Sequence, residues 1–89
     1  MPRVSFTPHL RQHVGCDDAD VAGATLREAL DAAFAVRPGL RGYLVDEHGQ
    51  LRQHVAVFID GQPAADRKTL ADAVRPDSAI YVLQALSGG

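Results

Sequence analysis

The 89-residue chain has one cysteine, Cys16, so no internal disulfide can staple it. That excludes the framework of a small secreted domain and suits a reducing compartment. It has no block of like charge. Nine Lys and Arg and eleven Asp and Glu are scattered to a formal net charge of -2, and no basic run could follow a phosphate backbone, so a nucleic-acid partner is not expected. No stretch approaches the roughly 18 apolar residues of a membrane span, and the opening MPRVSFTPHL lacks the apolar run of a signal peptide. The expectation is a soluble, cytoplasmic protein that does not engage a membrane. Internal repeats, linkers and low-complexity segments are also absent from the sequence. So are a Ser-His-Asp order, a phosphate-binding glycine loop and paired carboxylates, and neither catalysis nor a bound cofactor is expected of the chain itself.

What is present is a composition that folds: 46% hydrophobic and 22% charged residues, in a length that suits one modest core and not two. RVSFT alternates, with Val4 and Phe6 on one face, and predicts a half-buried strand that Pro8 ends. From His9 to Asp20 the polar character and Gly15 predict a turn or loop, leading to a short strand near Ala19 to Ala22. TLREALDAAFAVRPG predicts an amphipathic helix: Thr25 and Glu28 form a capping box, Leu26, Ala29, Leu30, Ala33 and Phe34 form one apolar stripe, and Pro38-Gly39 stops it.

A short apolar stretch and a turn at Glu47-His48-Gly49 come next, then a long strand from Leu51 to Ile59 whose VAVFI core is apolar on both faces. Asp60-Gly61 is a hairpin signal. Pro63 restricts the next strand to a sheet edge, Leu70 to Val74 reads as a short helical turn, and Ala79 to Leu86 as the final strand. Two hairpins flank one helix, and the last strand returns beside the first, which makes an α+β domain.

His9, His13 and Cys16 stand as H-x3-H-x2-C, three residues of metal-ligating type. A structural zinc site normally takes four, Asp17 and Asp18 read as solvated loop acids, and no metal is expected. Cys16 reads as a small buried side chain rather than a nucleophile, since no base accompanies it. His48 and His54 are assigned to a turn and a strand. The chain closes with YVLQALSGG. Two glycines after a strand pack nothing and lose backbone entropy on ordering, so they make a poor structural terminus and read as an ending meant to be reached.

GATLREAL, VAVFIDGQ and DSAIYVLQALSGG, with Val4 and Phe6 before them, resemble the MoaD/ThiS family of ubiquitin-like sulfur carriers along the whole chain; Gly88-Gly89 is the specific part. The resemblance implies the β-grasp (ubiquitin-like) fold, a mixed sheet of four to five strands with one main helix across it. It divides the chain into a domain at 1–86 and a Ser-Gly-Gly tail at 87–89. It implies adenylylation and then thiocarboxylation at Gly89, with Gly88, Ser87 and Leu86 threading into a partner enzyme. The implied partners are a ubiquitin-activating-type adenylyltransferase that uses ATP, a sulfur donor such as a cysteine desulfurase or rhodanese-type protein, and a sulfur-accepting synthase. The residues Leu83-Gln84-Ala85-Leu86 lack the proline pair of many members, which leaves the acceptor pathway open. Phe58, Tyr81 and Leu83 are either core or a patch that docks the activating enzyme. Two further readings stand beside the carrier: a protein modifier conjugated through Gly89, and a non-catalytic β-grasp interaction module.

Overall fold

The computed structural model of the chain describes residues 1–15 and 17–84, with His13 and Val14 as backbone only. Among these residues the elements are β1 (Arg3–Phe6), α1 (Pro8–Val14), β2 (Ala19–Asp20), α2 (Leu26–Val36), α3 (Pro38–Leu44), β3 (Val55–Ile59), β4 (Gln62–Pro63) and β5 (Ala79–Gln84). The strands form one mixed sheet in the order β2-β1-β5-β3-β4. β5 lies between the two hairpins, parallel to β1 and antiparallel to β3. This is the expected β-grasp arrangement, with α2 as the main helix.

Alternation decides which strand residues meet the helix. Val4 and Phe6 from β1, Val55 and Val57 from β3, and Ile80 and Val82 from β5 are all buried, and they pack with the predicted stripe Leu26, Ala29, Leu30, Ala33 and Phe34 of α2. Asp60 and Gly61 both have positive φ, 52° and 83°, as the two-residue β3–β4 hairpin requires. At the start of α2, Thr25 Oγ1 accepts from the Glu28 N–H at 3.2 Å. Glu28 Oε1 in turn accepts from the Ala24 N–H at 2.9 Å, so the capping box closes one residue earlier than its usual form.

Several local expectations are corrected. The segment after Pro8 is not a loop but α1: Thr7 Oγ1 accepts from the Leu10 N–H, Pro8 fills the first turn, and Gly15 at φ 67° caps the end. Buried Leu10 anchors this short helix. Pro38-Gly39 does follow the end of α2 at Val36, yet Pro38 also opens α3, where Leu40 and Leu44 bury one face four residues apart. The long strand begins at Val55 rather than Leu51, because Leu51 pairs instead with Val45 and its N–H goes to the Arg67 carbonyl. β2 stops at Asp20, short of Ala22.

A further correction concerns Leu70 to Val74, which is not helical. Its carbonyls serve α2: the Leu26 N–H donates to Asp72 O and the Arg27 N–H to Leu70 O, both at 2.9 Å. These are two of the amides that the first turn of any helix leaves without an internal partner. Two carboxylates shape the loop. Asp66 accepts from the backbone of Lys68, Thr69 and Ala71 and from the Thr69 hydroxyl, and Asp72 accepts from the N–H groups of Ala65 and Asp66. Leu70 turns through φ 57° and is fully buried.

Hydrogen bonds from Thr69, Lys68 and Ala71 hold the Asp66 carboxyl well below the usual carboxylate range. The Ala79 N–H and Ser78 hydroxyl lower Asp60, and the Gln50 and His48 N–H groups lower Asp46. A carboxyl lowered in the folded state contributes stability above its unfolded value near 3.8 and loses it as pH falls through the folded value. Melting temperature is therefore expected to hold from neutral pH down to about 4 and to fall below it. Asp66→Asn should flatten that fall in melts run from neutral to acid; an unchanged acid limb would contradict the assignment.

Gly23 fits because it has no side chain. A Cβ there would stand 2.7 Å from the Ala29 backbone nitrogen and 3.0 Å from Glu28, the first turns of α2. Backbone cannot swing away as a side-chain tip can. Gly23→Ala is expected to destabilise by roughly 1–3 kcal/mol, read from urea midpoints; wild-type stability would show that the approach is loose.

Candidate functional site: the open sheet face and the end of the last strand

The helices cover one side of the sheet, and strand parity puts the remaining side chains on the other. Phe58 on β3 stands opposite Tyr81 on β5, and Ala56 opposite Leu83. The row continues to Ser5 on β1, the register partner of Tyr81, and to Pro63 on β4, the partner of Phe58. None of Phe58, Tyr81 and Leu83 belongs to the buried core. Tyr81 is 41% exposed and the other two are half-buried. The choice between core and open face is thereby decided for all three, and it is the open face.

β5 is paired with β1 as far as Val82 and with β3 to its described end at Gln84. The Thr7 N–H donates to Val82 O at 3.2 Å from the β1 side, and Val55 of β3 is the register partner of Gln84. A third hold comes from α3. The Tyr43 hydroxyl donates to Gln84 Oε1 at 2.7 Å, and the Tyr43 ring meets the His54 ring edge-on, with centroids 5.7 Å apart at 86°. His54 lies in the turn just before β3, not on the strand as expected. Tyr43 and Gln84 are 41 positions apart, and no sequence signal marked either. Gln84, the described end of the strand, is thus held by β3 and α3, while β1 secures β5 as far as Val82.

Leu86, Ser87, Gly88 and Gly89 lie outside the described residues, as do Ala85, Cys16 and the side chain of His13. His48 sits in its expected turn, where Asp46 Oδ1 accepts from the His48 and Gln50 N–H groups at 2.8 and 3.1 Å and Gly49 has φ 78°. Among the described residues no three His, Cys, Asp or Glu side chains gather about a common position. No helix among them is long and apolar enough to cross a membrane.

No protein-family model matches the chain, and no curated protein matches its sequence. Solved structures do. A chain of the Amycolatopsis orientalis BexX/CysO complex superposes with a TM-score of 0.82 at 25% identity, over 100% of both chains. SAMP1 from Haloferax volcanii superposes with a TM-score of 0.78 at 27% identity, over 99% of this chain and 98% of that one. Mycobacterium tuberculosis CysO shares the fold, with a TM-score of 0.81 at 24% identity over 97% of this chain and 100% of its own. The chain accordingly has a ubiquitin-like β-grasp fold of the kind seen in these CysO and SAMP1 structures.

Proposed function

We propose that the protein is a ubiquitin-like sulfur carrier of the MoaD/ThiS type, a co-substrate rather than an enzyme, whose working group is the α-carboxylate of Gly89. The observation that carries this reading is the placement of β5. It is central in the sheet, held at Gln84 by β3 and by Tyr43 of α3, and followed by five residues that end in Gly88-Gly89. Five residues can span at most about 18 Å, enough to carry a carboxylate from a rigid strand into a partner's reaction centre. Glycine suits the last two positions because a backbone without Cβ passes a narrow channel. Similarity to CysO and SAMP1 supports the same reading.

A free carboxylate is a poor acyl donor. A ubiquitin-activating-type adenylyltransferase would supply the activation: a Gly89 carboxylate oxygen attacks the α-phosphorus of ATP, pyrophosphate leaves, and an acyl-adenylate forms. A hydrosulfide equivalent from a cysteine desulfurase or rhodanese-type donor then displaces AMP, leaving C(=O)S⁻ at Gly89. A sulfur-accepting synthase in cofactor, cysteine or specialised-metabolite biosynthesis takes that sulfur. The chain itself holds no cofactor in this scheme. Intact-mass measurement after incubation with an activating enzyme, ATP and a sulfur donor is expected to show one oxygen replaced by sulfur. An unchanged mass, where a known carrier converts, would overturn the proposal.

In this scheme the open face docks the activating enzyme through Phe58, Tyr81 and Leu83, an apolar row beside the exit strand. Tyr81→Ser is expected to raise the KM for the protein in pyrophosphate exchange by about tenfold. The stability loss should stay within about 1 kcal/mol, since the change removes one exposed cross-strand pair. An unaltered KM would move the docking surface elsewhere.

Likeness to SAMP1, a small archaeal modifier protein, favours one alternative: conjugation of Gly89 to lysines of other proteins. Lys68 is the single lysine of this chain, so self-linked polymers would have one side-chain acceptor besides the N-terminus. Immunoblots of source cells separate the readings. Ladders lost on deletion of Gly89 mean conjugation, and one free band speaks against it.

A further inference from the structure

Beside the end of β5, on the side of His54, lies an open depression of about 670 Å³ lined by Asp46, Gln50, Arg52, His54, Arg67 and Lys68, among others. Three cations face one carboxylate there, in a chain whose formal net charge is -2. The carboxylate is already engaged, since Asp46 accepts from two backbone N–H groups. The cations outnumber it: Arg52 interacts with Asp46 through its charge but not at ion-pair distance, and among the described residues the direct ion pairs use Arg3, Arg11, His48 and Arg75, not Arg52, Arg67 or Lys68.

Both guanidiniums are nevertheless held in place. Arg52 Nε donates to Gly42 O and Arg67 Nη2 to Arg52 O, each at 2.8 Å, which orients the groups and leaves their other N–H donors for a ligand. Arg27 fixes the rim by donating to Gly49 O at 2.9 Å and Lys68 O at 3.3 Å. Oriented guanidiniums with an excess of positive charge around them attract anions with little further loss of side-chain freedom. All three are exposed and line an open hollow rather than an enclosed one, which suits an extended chain bearing several carboxylates better than one small anion.

We propose that this depression is a docking site for an acidic peptide segment, supplied, on the sulfur-carrier reading above, by the activating enzyme. Its position favours that source. Val55, the residue after His54, is the register partner of Gln84, so a segment seated here lies next to the strand that delivers the tail. The enzyme then grips the strand end from two sides, with apolar contacts on the open face and charge here.

The test uses the full chain and a hexaglutamate peptide, followed by amide chemical shifts, with tripolyphosphate as the small-anion control. Shifts confined to residues 46–54 and 66–69, with affinity falling about tenfold as salt rises to a Debye length of about 8 Å, support the site. Lys68→Glu is the informative variant, because its ammonium makes no hydrogen bond or ion pair among the described residues that folding would miss. It should weaken the peptide by about tenfold with an unchanged melt, and should raise the KM in pyrophosphate exchange while leaving kcat in place. Three results would overturn the proposal: shifts spread equally over Arg3, Arg11 and Arg75, tighter binding of tripolyphosphate at the same residues, or a Lys68→Glu protein that behaves as wild type. Failure of the carrier reading looks different: wild-type mass would stay unchanged while the peptide still maps to this depression.

Discussion

Deletion of Gly89 is expected to abolish thiocarboxylation altogether, and Gly88→Val to reduce adenylylation by at least about a hundredfold, both with a wild-type melt. Reach and bulk are the two causes. The reacting carboxylate must sit within bonding distance of the α-phosphorus, and removing one residue withdraws it by about 3.5 Å along an extended chain. A β-branched side chain at position 88 narrows the accessible backbone conformations and adds bulk where a channel built for glycine has none. Stability should not follow, because the buried core runs from Val4 to Val82 and draws on nothing later among the described residues. Pyrophosphate exchange and intact mass, run beside a thermal melt, separate the two properties. Wild-type exchange by Gly88→Val would remove the terminus from the mechanism.

The converse is expected of Leu30→Ala. Leu30 is fully buried at the centre of the α2 stripe, facing the sheet through which β1 and β5 contribute Val4, Ile80 and Val82. Truncating it loses the transfer energy of three carbons and leaves a cavity, about 3 kcal/mol together. For a domain of this size that lowers the melting temperature by roughly 12–24 °C. The urea midpoint should fall with its slope preserved, as for a change in stability without a change in the surface exposed. Below its melt the variant should still be thiocarboxylated at close to the wild-type rate, since neither β5 nor the tail is altered. A small loss of stability would mean that the site collapses readily around the missing atoms. A large loss of activity in the folded variant would tie the core to the tail in a way the present geometry does not.

The contrast between these variants reflects where each property is encoded. The stripe and cap of α2, the alternation of β1, the presence of a last strand from Ala79, the Asp60-Gly61 turn and the Gly88-Gly89 pair were legible in the sequence, because each depends on residues within a few positions of one another. Period and turn chemistry are local physics. α1 carried a readable signal too, Thr7-Pro8 ahead and Gly15 behind, but polar residues at 9, 11, 12 and 13 outweighed it; what makes the segment a helix is the burial of Leu10 in a core built by distant parts of the chain.

By itself, then, the sequence determined the main helix, the hairpins and the return of the last strand beside the first. Tertiary structure alone decided the rest. Periodicity shows that β3 and β5 each have two apolar sides, but not which side the helix will cover; the crossover carrying α2 onto the Val57–Ile80 face exposes Phe58, Tyr81 and Leu83. The 66–74 segment forgoes helix because its carbonyls serve α2 amides far earlier in the chain. Tyr43 holds Gln84 across 41 positions, and Arg52 meets Arg67 across 15. Contacts of that range have no signature in the spacing of neighbouring residues, since they arise only once the sheet has brought the ends of β3 and β5 and the start of α2 together.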